Sequence, residues 1–274
     1  MSRPHKMNGA TVRSGNISYD SGDALSKVPQ ITLAFWIVKI FATTVGETGG
    51  DALSMTLNLG YAVSTMIFLG FFVVTMAAQV SSKHYHPFFY WLVVAATTMV
   101  GTTTSDYFDR TLGLGYVNSS IIELAAVIAV LVAWKLSTGS ISADRITTRK
   151  NEIFYWVTIL VSNTLGTALG DYIATSAGIG FQRGAMVFAS LIAVVVVTYF
   201  NTSASRAVLF WAAYVLTRPL GATLGDTLTK TQAEGGLAFG RSTSSVVIAV
   251  GMVVIIAMTS LRKPDSRAST SAVN

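Results

Sequence analysis

Along the 274 residues, apolar positions gather in eight blocks, near 30–50, 60–79, 87–105, 116–136, 152–170, 184–200, 207–225 and 243–261, divided by short polar stretches. Each block approaches the roughly 20 residues that an α-helix needs to cross a hydrocarbon core of about 30 Å. The blocks are too long and too uniformly apolar for the alternating strands of a membrane barrel, which leaves helices. The predicted fold class is an all-α polytopic membrane protein with eight transmembrane helices.

A second pattern runs through the odd blocks. "WIVKIFATTVGETGGD" from Trp36 returns as "WLVVAATTMVGTTTSD" from Trp91, "WVTILVSNTLGTALGD" from Trp156 and "WAAYVLTRPLGATLGD" from Trp211. Each copy has an aromatic before the tryptophan, a glycine ten residues after it and an aspartate fifteen after it. The aspartates Asp51, Asp106, Asp171 and Asp226 are 55, 65 and 55 residues apart, so four two-helix units form two similar halves offset by 120. An even number of spans per unit makes the repeats parallel, packed as two equivalent halves about an axis along the membrane normal with the odd helices inside. Past the aspartate, "LGY" at 59–61, "LGY" at 114–116 and "IGF" at 179–181 mark a shared outer turn. The fourth linker, "TLTKTQAEGGLAFG", is longer and predicts a different loop.

Composition agrees with the pattern: 51% of residues are hydrophobic and 12% charged. Of the 19 lysines and arginines, thirteen fall on the side of the termini, and only Arg110, Arg183, Lys230 and Arg241 on the other. The positive-inside rule therefore puts both termini in the cytoplasm. The formal charge of +6 reflects that topology, and no nucleic-acid partner is expected. Residues 1–28 have no apolar core, which predicts a disordered tail rather than a cleavable signal peptide, and 262–274 read the same way. A single transmembrane domain is expected over 29–261, in repeats 29–80, 84–136, 150–201 and 205–261. The chain has no cysteine, so disulfides and thiolate metal sites are excluded.

Four tandem two-helix units, each with a tryptophan and a Gly-x4-Asp ending, resemble the bacterial membrane-protein family built from the repeat known as domain of unknown function 347. The resemblance covers roughly residues 30–261. It implies the architecture above and a bacterial inner (cytoplasmic) membrane location, and it brings no activity.

The repeated residues suggest some chemistry. At the start of the odd helices the tryptophans read as an interfacial aromatic belt, and the glycines and threonines as small residues for close helix packing. Fifteen residues of helix span about 22 Å, which leaves each aspartate short of the outer edge of the core. A charge at that depth normally faces a bundle interior. On a helical stripe, Thr44 and Glu47 join Asp51, Thr98 and Thr102 join Asp106, and Asn163, Thr164 and Thr167 join Asp171. In the fourth unit Arg218, Ala222 and Thr223 join Asp226. Converging stripes would offer carboxylates, hydroxyls and carbonyls freed at the glycines, a hard oxygen set suited to Mg²⁺, Mn²⁺ or Ca²⁺.

Only the first unit adds a glutamate, Glu47, and only the fourth an arginine, Arg218, so the two are expected to pair as a counter-charge couple. Lys39 is expected to snorkel toward the inner surface. Glu123, seven residues into the fourth block, reads as a proton carrier. "GETGGD" is similar to the acidic-glycine signatures of some cation exchangers, whose carboxylate-bearing helices are broken near the ion. No phosphate loop, His-Glu-x-x-His or Gly-x-Ser-x-Gly is present, and His84 and His86 in "KHYHP" read as an interfacial turn. The sequence therefore predicts no enzyme and no cofactor.

The expected function is a secondary transporter or exchanger of a small cation, a divalent metal ion of the Mn²⁺/Mg²⁺/Ca²⁺ class, with protons as counter-ion. Its candidate ligands are Glu47, Asp51, Asp106, Asp171, Asp226, Thr44, Thr102 and Thr167, with Arg218 and Glu123 as counter-charge or proton relay. The alternatives are a non-transporting scaffold or sensor and an organic-cation exporter. Expected partners are the lipid bilayer and the small cation, and a homo-oligomer is left open.

Overall fold

The computed structural model describes residues 28–82, 85–143, 146 and 148–261. The tails and His84, on which readings were offered above, lie outside the described residues. Eight long helices follow the eight apolar blocks: α1 (Leu33–Asp51), α2 (Gly60–Ser81), α3 (Pro87–Asp106), α4 (Gly115–Thr138), α5 (Arg149–Asp171), α6 (Phe181–Asn201), α7 (Arg206–Thr229) and α8 (Arg241–Leu261). Local chemistry sets their starts. Thr32 accepts the Phe35 amide at 3.3 Å and Thr148 the Asn151 amide at 3.2 Å, while Pro87 occupies the first turn of α3, where its missing N–H costs nothing.

The protein is a multi-pass membrane protein with internal repeats. Six helices, α2 and α4 to α8, are long and apolar enough to cross a membrane. The eight spans expected from the sequence thus reduce to six by length and composition, because α1 and α3 are diluted by threonine, glycine and acidic residues.

The odd helices are inside and the even helices outside, as the repeat predicts. α1 packs on α3, α3 on α5, α5 on α7, and α7 returns to α1. In the spanning stretches of α5 and α7, 67% and 61% of residues are buried, against 17–28% in the four even helices. Each even helix lies on the odd helix of the following unit: α2 on α3, α4 on α5, α6 on α7 and α8 on α1. The last unit therefore closes on the first.

Glycine sets the distance between neighbours in this ring. A Cβ on Gly46 would strike Thr98, one on Gly101 the Asn163 backbone, one on Gly166 Arg218, and one on Gly221 Thr43. Four residues later the contact recurs, with Gly50 against Thr102, Gly170 against Ala222 and Gly225 against Glu47. This is the small-x3-small helix contact repeated in one register around a closed ring. Two hydroxyl bonds share the register: Thr98 donates to the Ala42 carbonyl at 3.1 Å and Thr43 to the Thr217 carbonyl at 3.3 Å.

At the start of the odd helices the aromatics form a matching ring. The residue before each tryptophan packs on the next unit's tryptophan, as Phe35 on Trp91, Tyr90 on Trp156, Tyr155 on Trp211 and Phe210 on Trp36, with centroids 5.4, 5.5, 6.0 and 5.8 Å apart. Trp91, Trp156 and Trp211 are buried and Trp36 is half-buried. The belt reading is corrected here: these tryptophans form an inter-unit seam.

At the other end each of the first three odd helices continues past its aspartate as one wide π turn, Ala52–Thr56, Tyr107–Thr111 and Tyr172–Ser176. The helices run unbroken through Gly46, Gly101, Gly166 and Gly221, so no carbonyl is freed there, contrary to the expectation from the exchanger-like signature. Beyond the π turns, Gly60, Gly115 and Gly180 take positive φ of 73°, 72° and 83° and open the turn into the even helix. The fourth unit differs, as its linker predicts. α7 runs to Thr229 and a 3₁₀ turn, Gln232–Glu234, follows. There Glu234 accepts the amide and hydroxyl of Thr231, and these bonds hold its carboxyl below the ordinary value.

Candidate functional site

With the four tryptophans aligned, the polar residues of the odd helices form layers. Seven residues on lie Thr43, Thr98, Asn163 and Arg218, eleven on lie Glu47, Thr102, Thr167 and Ala222, and fifteen on lie the four aspartates. In the middle layer the fourth position is only a methyl, and the arginine one turn below it fills the space. Arg218 Nη2 donates to Glu47 Oε2 at 3.0 Å, Thr102 Oγ1 at 2.5 Å and Thr167 Oγ1 at 2.6 Å. One guanidinium nitrogen thus reaches the three polar members of the middle layer. The Glu47–Arg218 pair expected from the sequence forms, and Thr102 and Thr167 belong to it. Arg218 is wholly buried, and its Nε and Nη1 have no hydrogen-bond partner.

Above this plug the aspartates divide into two pairs. Arg110 contacts Asp106 Oδ1 at 3.1 Å from its own helix end and Asp171 Oδ2 at 3.0 Å on the next unit. Lys230 contacts Asp226 Oδ1 at 3.2 Å and Asp51 Oδ2 at 3.5 Å in the same relation. Arg110 and Lys230 are 120 residues apart, so the clamps obey the two-fold relation between the halves. Arg241 adds a contact to Asp51 Oδ2 at 3.4 Å, outside that relation. All four aspartates are buried inside the bundle end.

Sequence reasoning counted Arg110, Lys230 and Arg241 as charges of the outer side and missed them as partners. A signal was there: Arg110 and Lys230 each follow an aspartate by four residues, one helical turn, and only in alternate units.

Three carboxylates meet most closely. Glu47, Asp51 and Asp226 each offer an oxygen, all within 4.8 Å of one another. Oxygens at that spacing can occupy one side of a hard cation, which is bound at 2.0–2.6 Å. Asp51 Oδ1 is buried and has no hydrogen-bond partner. Asp106 and Asp171 are gathered by Arg110 instead.

Two expected residues lie elsewhere. Thr44 gives its hydroxyl to the Ile40 carbonyl of its own helix at 2.9 Å, and the repeat equivalent of Thr98 is Thr43. Glu123 is buried on α4 beside Asp109, apart from the aspartate ring, and neither of its oxygens has a hydrogen-bond partner. Lys39 is also corrected: it does not snorkel but lies fully buried, its ammonium 4.1 Å from the centroid of the Tyr214 ring.

The family model for the Repeat of Unknown Function (DUF347) matches four times in tandem, at residues 34–85, 89–140, 154–205 and 209–264. The chain belongs to the DUF347 repeat family. No curated protein and no solved structure matches it. The matched boundaries place one inner helix with its aspartate, and one outer helix, in every repeat. The invariants of the DUF347 unit in this chain are thus the seam tryptophan, the contact glycine and the aspartate. Glu47, Arg110, Arg218 and Lys230 are departures within single units.

Proposed function

We propose that this protein is a secondary transporter or exchanger of a small hard cation, a divalent metal ion of the Mn²⁺/Mg²⁺/Ca²⁺ class, in counter-flow with protons. The observation that carries the reading is the convergence of Glu47, Asp51 and Asp226 at the buried end of the inner bundle. Carboxylates are costly in a membrane interior and collect where an ion or proton passes. A single ammonium, Lys230, holds Asp51 and Asp226 together. A divalent ion carries twice that charge and satisfies more oxygens at once, so it can take the place of the ammonium. In this reading all eight helices cross a bacterial inner membrane, both termini are cytoplasmic, and the aspartates open toward the periplasm. The inner helices α1 and α3 cross because they are sheathed by the apolar even helices.

Flux in proteoliposomes tests the proposal, with Mn²⁺, Mg²⁺, Ca²⁺, Co²⁺ and Al³⁺ each supplied. Uptake of one divalent ion is expected, together with its loss in Asp51→Asn and Asp226→Asn. Transport of no metal, or undiminished flux in both variants, overturns it. One observation favours the second reading, a non-transporting scaffold: every aspartate of the ring already has a cationic partner, as a structural lock requires.

A further inference from the structure

The two cation clamps on the aspartate ring occupy equivalent positions and are bonded unequally. Every nitrogen of Arg110 is engaged. Besides its contacts with Asp106 and Asp171, it donates from Nε to the Tyr116 hydroxyl at 3.1 Å and from Nη1 to the Tyr61 hydroxyl at 2.9 Å. Lys230 brings three N–H donors to the second clamp. They find one hydrogen bond, to Asp51 Oδ2 at 3.5 Å, and one ion-pair contact, to Asp226 Oδ1 at 3.2 Å. The first of these is longer than the roughly 3.2 Å of an ordinary N–H···O bond.

The inequality comes from the residue after each turn glycine, which is Tyr61, Tyr116, Phe181 and Arg241 in the four units. The Arg110 guanidinium carbon lies 5.8 Å from the centroid of the Tyr61 ring, and the Lys230 nitrogen 6.0 Å from that of Phe181, 120 residues on. The two rings stand in the same relation to their clamps, and the second has no hydroxyl. Where Tyr116 gives the first clamp an acceptor, the second has Arg241, whose Nε has no hydrogen-bond partner and lies 3.4 Å from the same Asp51 oxygen that Lys230 contacts. Two cations on one oxygen repel each other. The loosened clamp is also the one over Glu47, Asp51 and Asp226, where Asp51 Oδ1 is buried and has no partner.

We infer that Lys230 is the charge filter of this site: its ammonium is a built-in monovalent occupant that a divalent cation displaces and a free monovalent cation does not, while the Arg110 clamp stays closed. The inference rests on the reading of Glu47, Asp51 and Asp226 as a cation site. A tethered ammonium competes at an effective concentration of about a millimolar or more. Na⁺ brings no more charge than the group it would replace and gains nothing from the exchange. A divalent ion doubles the attraction to the same carboxylates, and that gain drives the ammonium off. Phe181 is the positioning residue, because its bare ring leaves the ammonium without the hydroxyl bond that fixes Arg110.

The test uses the full chain in nanodiscs of zwitterionic lipid, with Mn²⁺ alone as the probe and the electron paramagnetic resonance signal of free Mn²⁺ as the readout. Na⁺ is exchanged for N-methylglucamine at constant ionic strength. The parent should bind Mn²⁺ with no competition from Na⁺. Lys230→Met should bind it about tenfold tighter or more and become sensitive to Na⁺, since neither ion then has an ammonium to displace. Phe181→Tyr should bind it about fivefold more weakly, the effect of one added hydrogen bond on the ammonium. A mere loss of fold in Lys230→Met would weaken Mn²⁺ binding instead of tightening it. The filter is overturned if Lys230→Met binds Mn²⁺ no tighter than the parent, or if Na⁺ competes equally in both. Mn²⁺ binding that survives Asp51→Asn undiminished overturns the filter together with the cation site. The expected binding without metal flux sinks the transport reading alone, and flux that needs Asp51 but is indifferent to Lys230→Met sinks the filter alone.

Discussion

The two ends of the inner helices are built on one frame and obey different symmetries. At the aromatic end, four units repeat one contact, Phe35–Trp91, Tyr90–Trp156, Tyr155–Trp211 and Phe210–Trp36. At the acidic end, four equivalent aspartates are served by two bridging cations in alternate units, and one turn below them a single arginine fills the axis. Apolar packing is local, so it can be satisfied four times in the same way. Like charges in a poorly polarisable interior cannot be, because each carboxylate needs a partner and one cation can serve two neighbours. Charge therefore lowers the four-fold frame to two-fold at the clamps and removes symmetry altogether at Arg218.

The comparison breaks most completely at the plug. Arg218→Ala leaves Glu47 buried without its cation and should cost about 3–5 kcal/mol, the range for removing one member of a buried pair. The double variant Glu47→Gln/Arg218→Ala should be more stable than Arg218→Ala, because an unpaired charge costs more than none. Chemical unfolding in detergent micelles, followed by tryptophan fluorescence, reads both. Equal stability of the single and double variants would show that the two groups do not pair.

The clamps come next. Arg110→Met removes the cation shared by Asp106 and Asp171, whereas Lys230→Met leaves Asp51 its contact with Arg241. The Arg110 side chain is 29% exposed, which screens its charge. The loss should therefore be about 2 kcal/mol, below that for a fully buried pair. Asp171→Asn placed on Arg110→Met should return part of it, and on Lys230→Met should return nothing. Thermal unfolding of the four variants decides whether the clamps act as two separate units.

How much of this was legible follows the same division. Whatever repeats could be read from spacing: the helices, the odd-inside arrangement, the half offset of 120 and the burial of the aspartates. Glu47 and Arg218 could be read because each stands out against three siblings at its own position. Arg110 and Lys230 were hidden because they follow the aspartates, past the segment where the repeat was aligned. The aromatic seam was misread because an interfacial belt and an inter-unit contact place the same residues at the same helix end. Which odd helix each even helix covers depends on the path through the outer turn. No periodicity encodes that path.

The contact glycines sharpen the four-fold side. Gly46→Ala and Gly221→Ala each drive a methyl into a threonine of the next helix. Overpacking of this kind should cost about 1–3 kcal/mol, and the two variants should match within error because their surroundings are equivalent. Gly70→Ala, on an outer helix where a Cβ meets nothing within 4 Å, should be neutral or slightly stabilising. A large difference between Gly46→Ala and Gly221→Ala, read as the shift in unfolding midpoint, would show that the ring is not equivalent at the glycine layer.

The smallest effect concerns the one irregularity of the aromatic seam. Two of its four leading residues are phenylalanine, and the other two, Tyr90 and Tyr155, are tyrosines of adjacent units whose hydroxyls meet at 2.5 Å. Tyr90→Phe removes one hydroxyl and leaves the other buried without that partner, which should cost about 1–2 kcal/mol. Tyr155→Phe should cost about the same, since either oxygen can act as the donor. The double variant removes both polar atoms and makes all four leading residues phenylalanine, so it should recover most of the loss and lie within about 0.5 kcal/mol of the parent. Additive losses in the double variant, measured by the same unfolding, would mean that the hydroxyl pair holds its two units together by more than satisfying itself. The aromatic end would then share the broken symmetry of the acidic one.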